Sequence, residues 1–365
     1  MQERTRIGLI GDIMLGDQPL RTGYGICSQL RGDYTAVFSE FAAFAGRFDF
    51  VVGNFEGVLV DAMGRNTPPE TLGMPVPRTA IECFTRSKVR YLSIANNHTM
   101  EFGREQFGAM CRLFTESGIH TFGHKEKPYI IADSEGQRIG ILGFSTVPAF
   151  YGFEPEYLFV DPDREDTANA LLAWVRQARA CCDYLIVYPH WGCEYVPYAS
   201  ASQIALARSL IATGADLVAG AHPHVIQNLS YIDKRPVLFS MGNFASDLWQ
   251  SRFRESICAQ VEVGVETAIR LHKLITGQDY VVRYFGELPS PPASEPTVIP
   301  AGVYAKLVNR ARSRVRREIL LFLARRIGSV LRNPTLLKWI FRRVLFLIKN
   351  WRSIKSDPLK VYSQK

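Results

Sequence analysis

An α/β fold with parallel strands and helical crossovers is predicted from the order of apolar strands, polar turns and helical stretches. Three times before Gly118 an apolar strand runs into a polar turn and then a helix. The polar residues gather directly after the strands, and such folds bind ligands outside the carboxyl ends of their strands. The chain of 365 residues, 47% apolar and 21% charged, is long enough to bury a large core in one or two domains.

Taken in order, residues 5–10 form a buried strand ending in GDIMLGD, with Asp12 at its tip. A helix is expected over residues 34–48, with Val37, Phe41 and Phe44 on one face. A second strand, residues 50–52, enters GNFEG, where Asn54 and Glu56 project to the same side as alternate residues. Residues 66–77, rich in Pro, Thr and Gly, read as a surface loop. A helix near 79–87, a third strand at 91–94 and the turn ANNHTMEFG follow, then a helix at 104–117 that Gly118 stops. Residues 129–132 and 138–144 pair as a hairpin around Ser134 to Gly136.

A helix at 164–181 leads to a buried strand, 183–188, which ends in PHWGCEY. After a helix at 202–213 come the strand 217–219, a turn at Gly220, and His222 and His224 with one residue between them. In an extended segment those two imidazoles leave the strand side by side. A second apolar run, 236–239, ends in a turn at Gly242 and Asn243. Residues 256–266 alternate as a strand, and 280–285 is expected to pair with it. The domain is read as residues 1–289, closed by a proline-rich linker, 290–302, and followed by a basic helical tail, 303–365.

The polar turns collect Asp12, Asn54, Glu56, Asn97, His98, His190, His222 and His224. Carboxylate, imidazole and amide oxygen together suit one or two ions of manganese, zinc or iron, and the lack of cysteine among them argues against a closed structural zinc site. Two ions about 3.5–4 Å apart need a bridging ligand, for which Glu56 is the natural choice. His98 is the candidate acid, placed to protonate a leaving group. Asn54, Trp191, Glu194 and Asn243 are candidates for touching substrate or orienting the ligands. Any one of these residues alone is explained as a turn former or a loop histidine. Six clusters, each at a strand end, argue for a site.

The motifs GDIMLGD, GNFEG, ANNHTMEFG, PHWGCEY, GAHPHVIQ and SMGNFASD, in this order, resemble the CapA family of poly-γ-glutamate capsule-synthesis proteins, within the calcineurin-like metallophosphoesterase superfamily. The resemblance implies a four-layer α/β sandwich with its site at one end of two packed sheets. It implies metal ligation by Asp12, Glu56 as the bridge, Asn97, His190, His222 and His224, with His98 as the acid. Met14 stands where that superfamily usually has a histidine, which implies one ligand fewer for one ion. Asp17 stands where the family often has a basic residue.

Charge is unevenly spread. The tail from Val303 carries 17 basic and two acidic side chains, so the overall +8 is a tail of +15 on a body of −7. Tyr304, Leu307, Val308, Ala311, Val315 and Ile319 recur at helical spacing, and residues 336–351, with Trp339 and Trp351, form a second mixed apolar and basic stretch. Such a tail either packs on the body as a helical hairpin or lies on an anionic membrane surface. Seven cysteines without a C-x-x-C pair, and the lack of an apolar leader or a spanning segment, give the expectation of a cytoplasmic protein, peripheral at the inner face of the membrane. The acidic body offers no broad surface for nucleic acid. Two functions fit: a metal-dependent hydrolase of a phosphoester or of an amide or ester bond in an anionic surface polymer, or a non-catalytic assembly or export factor for that polymer.

Overall fold

Strand β1 (Thr5–Ile13) is buried along most of its length, and its alternate side chains serve two different cores. Ile7 and Leu9 point one way and Ile10 the other, as the twofold repeat of an extended chain requires, and a register shift near Asp12 turns Ile13 to the same side as Ile10. The structure is a computed structural model, and it describes residues 4–18, 21, 25–60, 74–149, 153–161, 163–264, 267–289, 293–325 and 337.

Beside β1 run β2 (Phe50–Phe55), β5 (Val89–Ser93) and β6 (His120–Phe122), all parallel. On its other side lie β14 (Glu255–Val263), β15 (Ala268–Thr276) and β16 (Val282–Glu287), each antiparallel to its neighbour, while β13 (Asn243–Ala245) pairs in parallel with the end of β1. The second sheet has the order β11 (Ile226–Ile232), β12 (Arg235–Met241), β10 (Leu217–Ala219), β9 (Tyr184–His190), β8 (Gln137–Ser145) and β7 (Tyr129–Ser134). Its four inner strands are parallel and its two edges antiparallel. A two-stranded parallel ribbon, β3 (Val58–Val60) with β4 (Pro75–Pro77), stands apart.

The sheets face each other through Ile7, Leu9, Val52, Ile139, Ile186, Leu238 and Val261. Helices α2 (Ser39–Ala45), α3 (Ile81–Arg86) and α4 (Gly103–Glu116) cover the outside of the first sheet with Phe41, Phe84, Met110 and Phe114. Helices α5 (Glu165–Ala180) and α6 (Ala201–Thr213) cover the second with Leu171, Val175, Ile204 and Leu210. Four layers result, helix, sheet, sheet and helix, as the family resemblance implies. A short helix, α1 (Ile26–Leu30), follows the turn after β1.

The strands run further than their apolar runs suggest. β1 continues through Asp12 because Asn54 of β2 and Asn243 of β13 flank it and keep its backbone paired. Crowding there is severe. A Cβ on Gly11 would stand 1.9 Å from the Gly242 carbonyl oxygen, so Gly11→Ala is expected to cost about 1–3 kcal/mol of stability in denaturant unfolding. The 34–48 helix shrinks to α2, with turns before and after it. Residues 280–285 do not pair with 256–266: β15 lies between β14 and β16. β11 was hidden in the sequence because its hairpin turns on Asp233 and Lys234, both left-handed, without the Gly that normally announces such a turn.

The proline-rich segment lies against the body: Tyr231 N–H donates to the Ser294 carbonyl at 2.8 Å, and Arg208 pairs with Glu295 at 2.7 Å. Helix α7 (Ala301–Arg325) then packs along a stripe that includes buried Val308 and Val315. Val315 and Ile319 join Met14, Met74, Leu248, Phe253, Tyr195 and Val225 in one apolar cluster. Phe322 stacks on Trp249 with ring centroids 4.6 Å apart. Glu318 accepts from both terminal nitrogens of Arg252, at 2.9 and 2.7 Å, and from Gln250 at 3.1 Å. Beyond Arg325 only Leu337 is described, so the second tail stretch with Trp339 and Trp351 lies outside the described residues, as do residues 66–73 of the expected loop. Among the described residues no helix is long and apolar enough to cross a membrane.

The Arg252 hydrogen bonds hold the Glu318 carboxyl down at about 2. A carboxylate with a depressed folded value stabilises above its unfolded range, near 4.3, and that contribution disappears as the pH falls toward the folded value. The stability advantage of the native chain over Glu318→Gln is therefore expected to shrink between about pH 4.5 and 2, as read by denaturant melts at each pH.

Candidate metal centre

Asp12, Glu56, His190, His222 and His224 come together at the carboxyl ends of the parallel strands of both sheets, all five buried. Asp12 reaches in from β1, Glu56 from the turn after β2, His190 from the last position of β9, and the histidine pair from the turn after β10. Two groups of donors each lie within 4.8 Å: Glu56, His222 and His224, and Asp12, Glu56 and His190. Glu56 is common to both.

Hydrogen bonds fix most of these side chains. Asn54 Nδ2 donates to Asp12 Oδ1 at 2.8 Å and lies 3.2 Å from His190 Nδ1. His190 Nε2 is 2.9 Å from Asn97 Oδ1 and 3.2 Å from Glu56 Oε1. His224 Nδ1 is 2.9 Å from Asn243 Oδ1 and 3.5 Å from Asp12 Oδ2. The backbone N–H of His222 donates to Asp12 Oδ2 at 3.0 Å. Both Glu56 oxygens and His222 Nδ1, by contrast, are buried without a hydrogen bond, the His190 Nε2 beside Glu56 Oε1 being engaged with Asn97 Oδ1. Leaving such atoms unsatisfied is costly, and their convergence fits a cation.

The electrostatics point the same way. Burial, then the nearby Asp12 carboxylate, push Glu56 up to about 8. Burial opposes charge on His224, but Glu56 and Asp12 outweigh it and raise it to about 10. Burial and neighbouring histidines hold His190 and His222 well below the ordinary imidazole value. Donors must shed their protons to ligate. Metal uptake at pH 7 is thus expected to release at least one proton, read from calorimetric titrations in buffers of different ionisation enthalpy; no release would argue against ligation by Glu56 and His224.

The histidine pair meets for a reason other than the extended alternation expected of it. His222 and His224 have φ of 96° and 57°, both left-handed, and a compact bend brings their rings to 5.7 Å between centroids. Strained backbone of this kind persists where surrounding structure holds it. His190 and His222 are closer still, 4.6 Å.

His98 lies beside the buried donors and is partly exposed. Its Nε2 is 3.1 Å from Asn97 Nδ2, and its Nδ1 is 2.7 Å from Glu101 Oε1. Burial works against its charged form, while Glu101 outweighs burial and raises it to about 9. Glu101 also accepts from the Met74 backbone N–H at 2.8 Å. Neither Glu101 nor Asn96, which donates to Asn54 Oδ1 at 3.1 Å and accepts from the His98 N–H, stood out in the sequence. The three-residue spacing of His98 and Glu101 is the signal that was available for the first.

Of the accessory candidates, Asn54 and Asn243 touch the donors directly. Glu194 is exposed, and its charge acts on His224 and Glu56 from the rim. Trp191 does not face the site. It follows His190 and points to the opposite side, into the outer core, where its Nε1–H donates to the Phe239 carbonyl at 2.9 Å. Met14 offers no ligand atom of the usual kind and is packed in the apolar cluster under α7.

A family model described as bacterial capsule synthesis protein PGA_cap matches residues 6–248, a span containing every donor above. The chain belongs to this family. It is 26% identical over 273 residues to the capsule biosynthesis protein CapA of Bacillus anthracis, a match covering 71% of this chain and 64% of that protein. Against the PGA biosynthesis protein CapA of Bacillus subtilis it is 25% identical over 265 residues, covering 69% and 66%. The chain therefore spans slightly less than two thirds of these capsule-family relatives. Among solved structures, a phosphatase from Mycoplasma pneumoniae matches at 12% identity and a TM-score of 0.46, covering 79% of this chain and 95% of that one. A dimetal phosphatase from Danio rerio matches at 12% and 0.42, covering 78% and 99%. Likenesses of that size say nothing about chemistry. In this member of the capsule family the PGA_cap segment ends before α7 begins.

Proposed function

We propose that this chain is a metal-dependent hydrolase of anionic surface-polymer synthesis, acting on a phosphoester or on an amide or ester bond of the polymer. The observation that carries this reading is the shared Glu56: a buried carboxylate with both oxygens unsatisfied, common to two donor groups. The donor set is oxygen- and imidazole-based, which fits manganese, zinc or iron. Asp12, Glu56, Asn97 and His190 would hold one ion and Glu56, His222 and His224 a second. A divalent ion held there supplies Lewis acidity toward an anionic oxygen and toward water. The chain's own residues do the rest. Asn54 fixes the Asp12 carboxylate, Asn243 steadies His224, and His98, oriented by Glu101, stands at the open side to give a proton to a leaving group.

The test is hydrolysis of an aryl phosphate by protein reloaded with manganese, with elemental analysis of the same sample. Metal without turnover would favour the second reading, a polymer assembly or export factor whose metal is structural. One observation supports that alternative: Met14 is packed into the apolar cluster instead of offering a ligand.

A further inference from the structure

Helix α7 has two faces, and only one is used by the fold. Buried Val308 faces the body, and Val315 and Ile319 seat the helix there in the same cluster as Tyr195 and Phe253. The Tyr195 ring lies 6.0 Å from that of His224, so α7 forms a wall one side-chain layer away from the candidate ligands. On the opposite face Lys306, Arg310, Arg314, Arg317 and Arg325 are all exposed. Their steps of three, four and eight residues place them along one stripe of the helix. At about 1.5 Å of rise per residue, Lys306, Arg310 and Arg314 stand roughly 6 Å apart. Arg314 lies 3.2 Å from Glu318; Lys306, Arg310, Arg317 and Arg325 stand in no ion pair among the described residues. Everything before Val303 is net acidic by seven charges.

We propose that this stripe is a docking track for a polycarboxylate, holding the polymer against the wall of the candidate metal centre. The acidic body repels such a chain, whereas the stripe offers cations at a regular spacing to successive carboxylates. Insertion into a headgroup layer calls for a free apolar face, and the continuous apolar stripe of α7 is already spent on the body. The track takes its purpose from the reading of the centre as one that acts on an anionic polymer, but docking itself is measured by binding alone.

The experiment compares full-length protein with the triple variant Lys306→Glu/Arg310→Glu/Arg317→Glu, using fluorescently labelled poly-γ-glutamate, a neutral polymer of similar length, and anionic and neutral vesicles. Expected results are polymer binding that weakens with added salt, at least about a tenfold loss of affinity in the variant, and unchanged hydrolysis of a small aryl phosphate. Unchanged polymer affinity in the variant overturns the proposal. So does vesicle binding that the triple change abolishes while polymer affinity stays, which would assign the stripe, with exposed Leu320 and Leu321, to a lipid surface. If the reversal variant fails to fold, the corresponding glutamine variant carries the same comparison. Polymer binding without any hydrolysis leaves docking intact and sinks the hydrolase reading; hydrolysis without polymer binding does the reverse.

Discussion

Glu56→Gln is expected to empty the centre of metal altogether, whereas His222→Ala removes it from one donor group only. Glu56 belongs to both groups and His222 to one. If two ions bind, elemental analysis should give stoichiometries near zero and near one for the two variants, against near two for the native chain. The change should not unfold the protein. Metal-free Glu56 is a fully buried carboxyl that burial and Asp12 push up to about 8, so near pH 7 it is largely neutral and the neutral amide replaces it with little electrostatic change. Metal-free Glu56→Gln is accordingly expected to melt no lower than the metal-free native chain. Full metal content in Glu56→Gln would overturn the role of Glu56 as the ligand shared by both groups.

His98→Ala should keep its metal and lose turnover, by about 10²–10⁴-fold if His98 is the acid. It stands outside both donor groups, partly exposed, with Nδ1 fixed by Glu101 at 2.7 Å. Glu101→Gln should reduce turnover less and leave metal content unchanged, because it alters the orientation and charge of His98 without removing it. The pH profile separates this from a purely structural role: with the Glu101 charge gone, the alkaline limb attributed to His98 should move to lower pH, since Glu101 is what raises that imidazole. Loss of metal in His98→Ala would reassign this histidine as a ligand.

Much of the fold and of the candidate site is legible in the sequence. A polar turn after each apolar strand points to the α/β class and to the place of the candidate site, because parallel strands present their carboxyl ends at one edge. Asp12, Glu56, His190, His222 and His224 stand out as candidates by type and position, and the structure brings these five together. The pairings of β11 and β15 were not: the β11 hairpin turns on Asp233 and Lys234 without a Gly, and Arg270, His272 and Lys273 interrupt the apolar residues of β15. Trp191 was misjudged for a related reason: motif membership places a residue on the right strand, but the twofold alternation sends it to the other face.

The sequence by itself determined the class of fold, the donor types and the concentration of positive charge beyond Val303. These follow from local periodicity, residue chemistry and counting, none of which needs a partner distant in the chain. Tertiary structure alone decided that Glu56 is shared between two donor groups, that Glu101 holds His98, and that α7 spends its apolar stripe on Tyr195, Phe253 and Met14. Each of these depends on groups brought together from separate parts of the fold, or on a distance and an orientation that local pattern leaves open. Side-chain partners, burial and the pKa shifts that follow from them exist only once the two sheets have closed on each other.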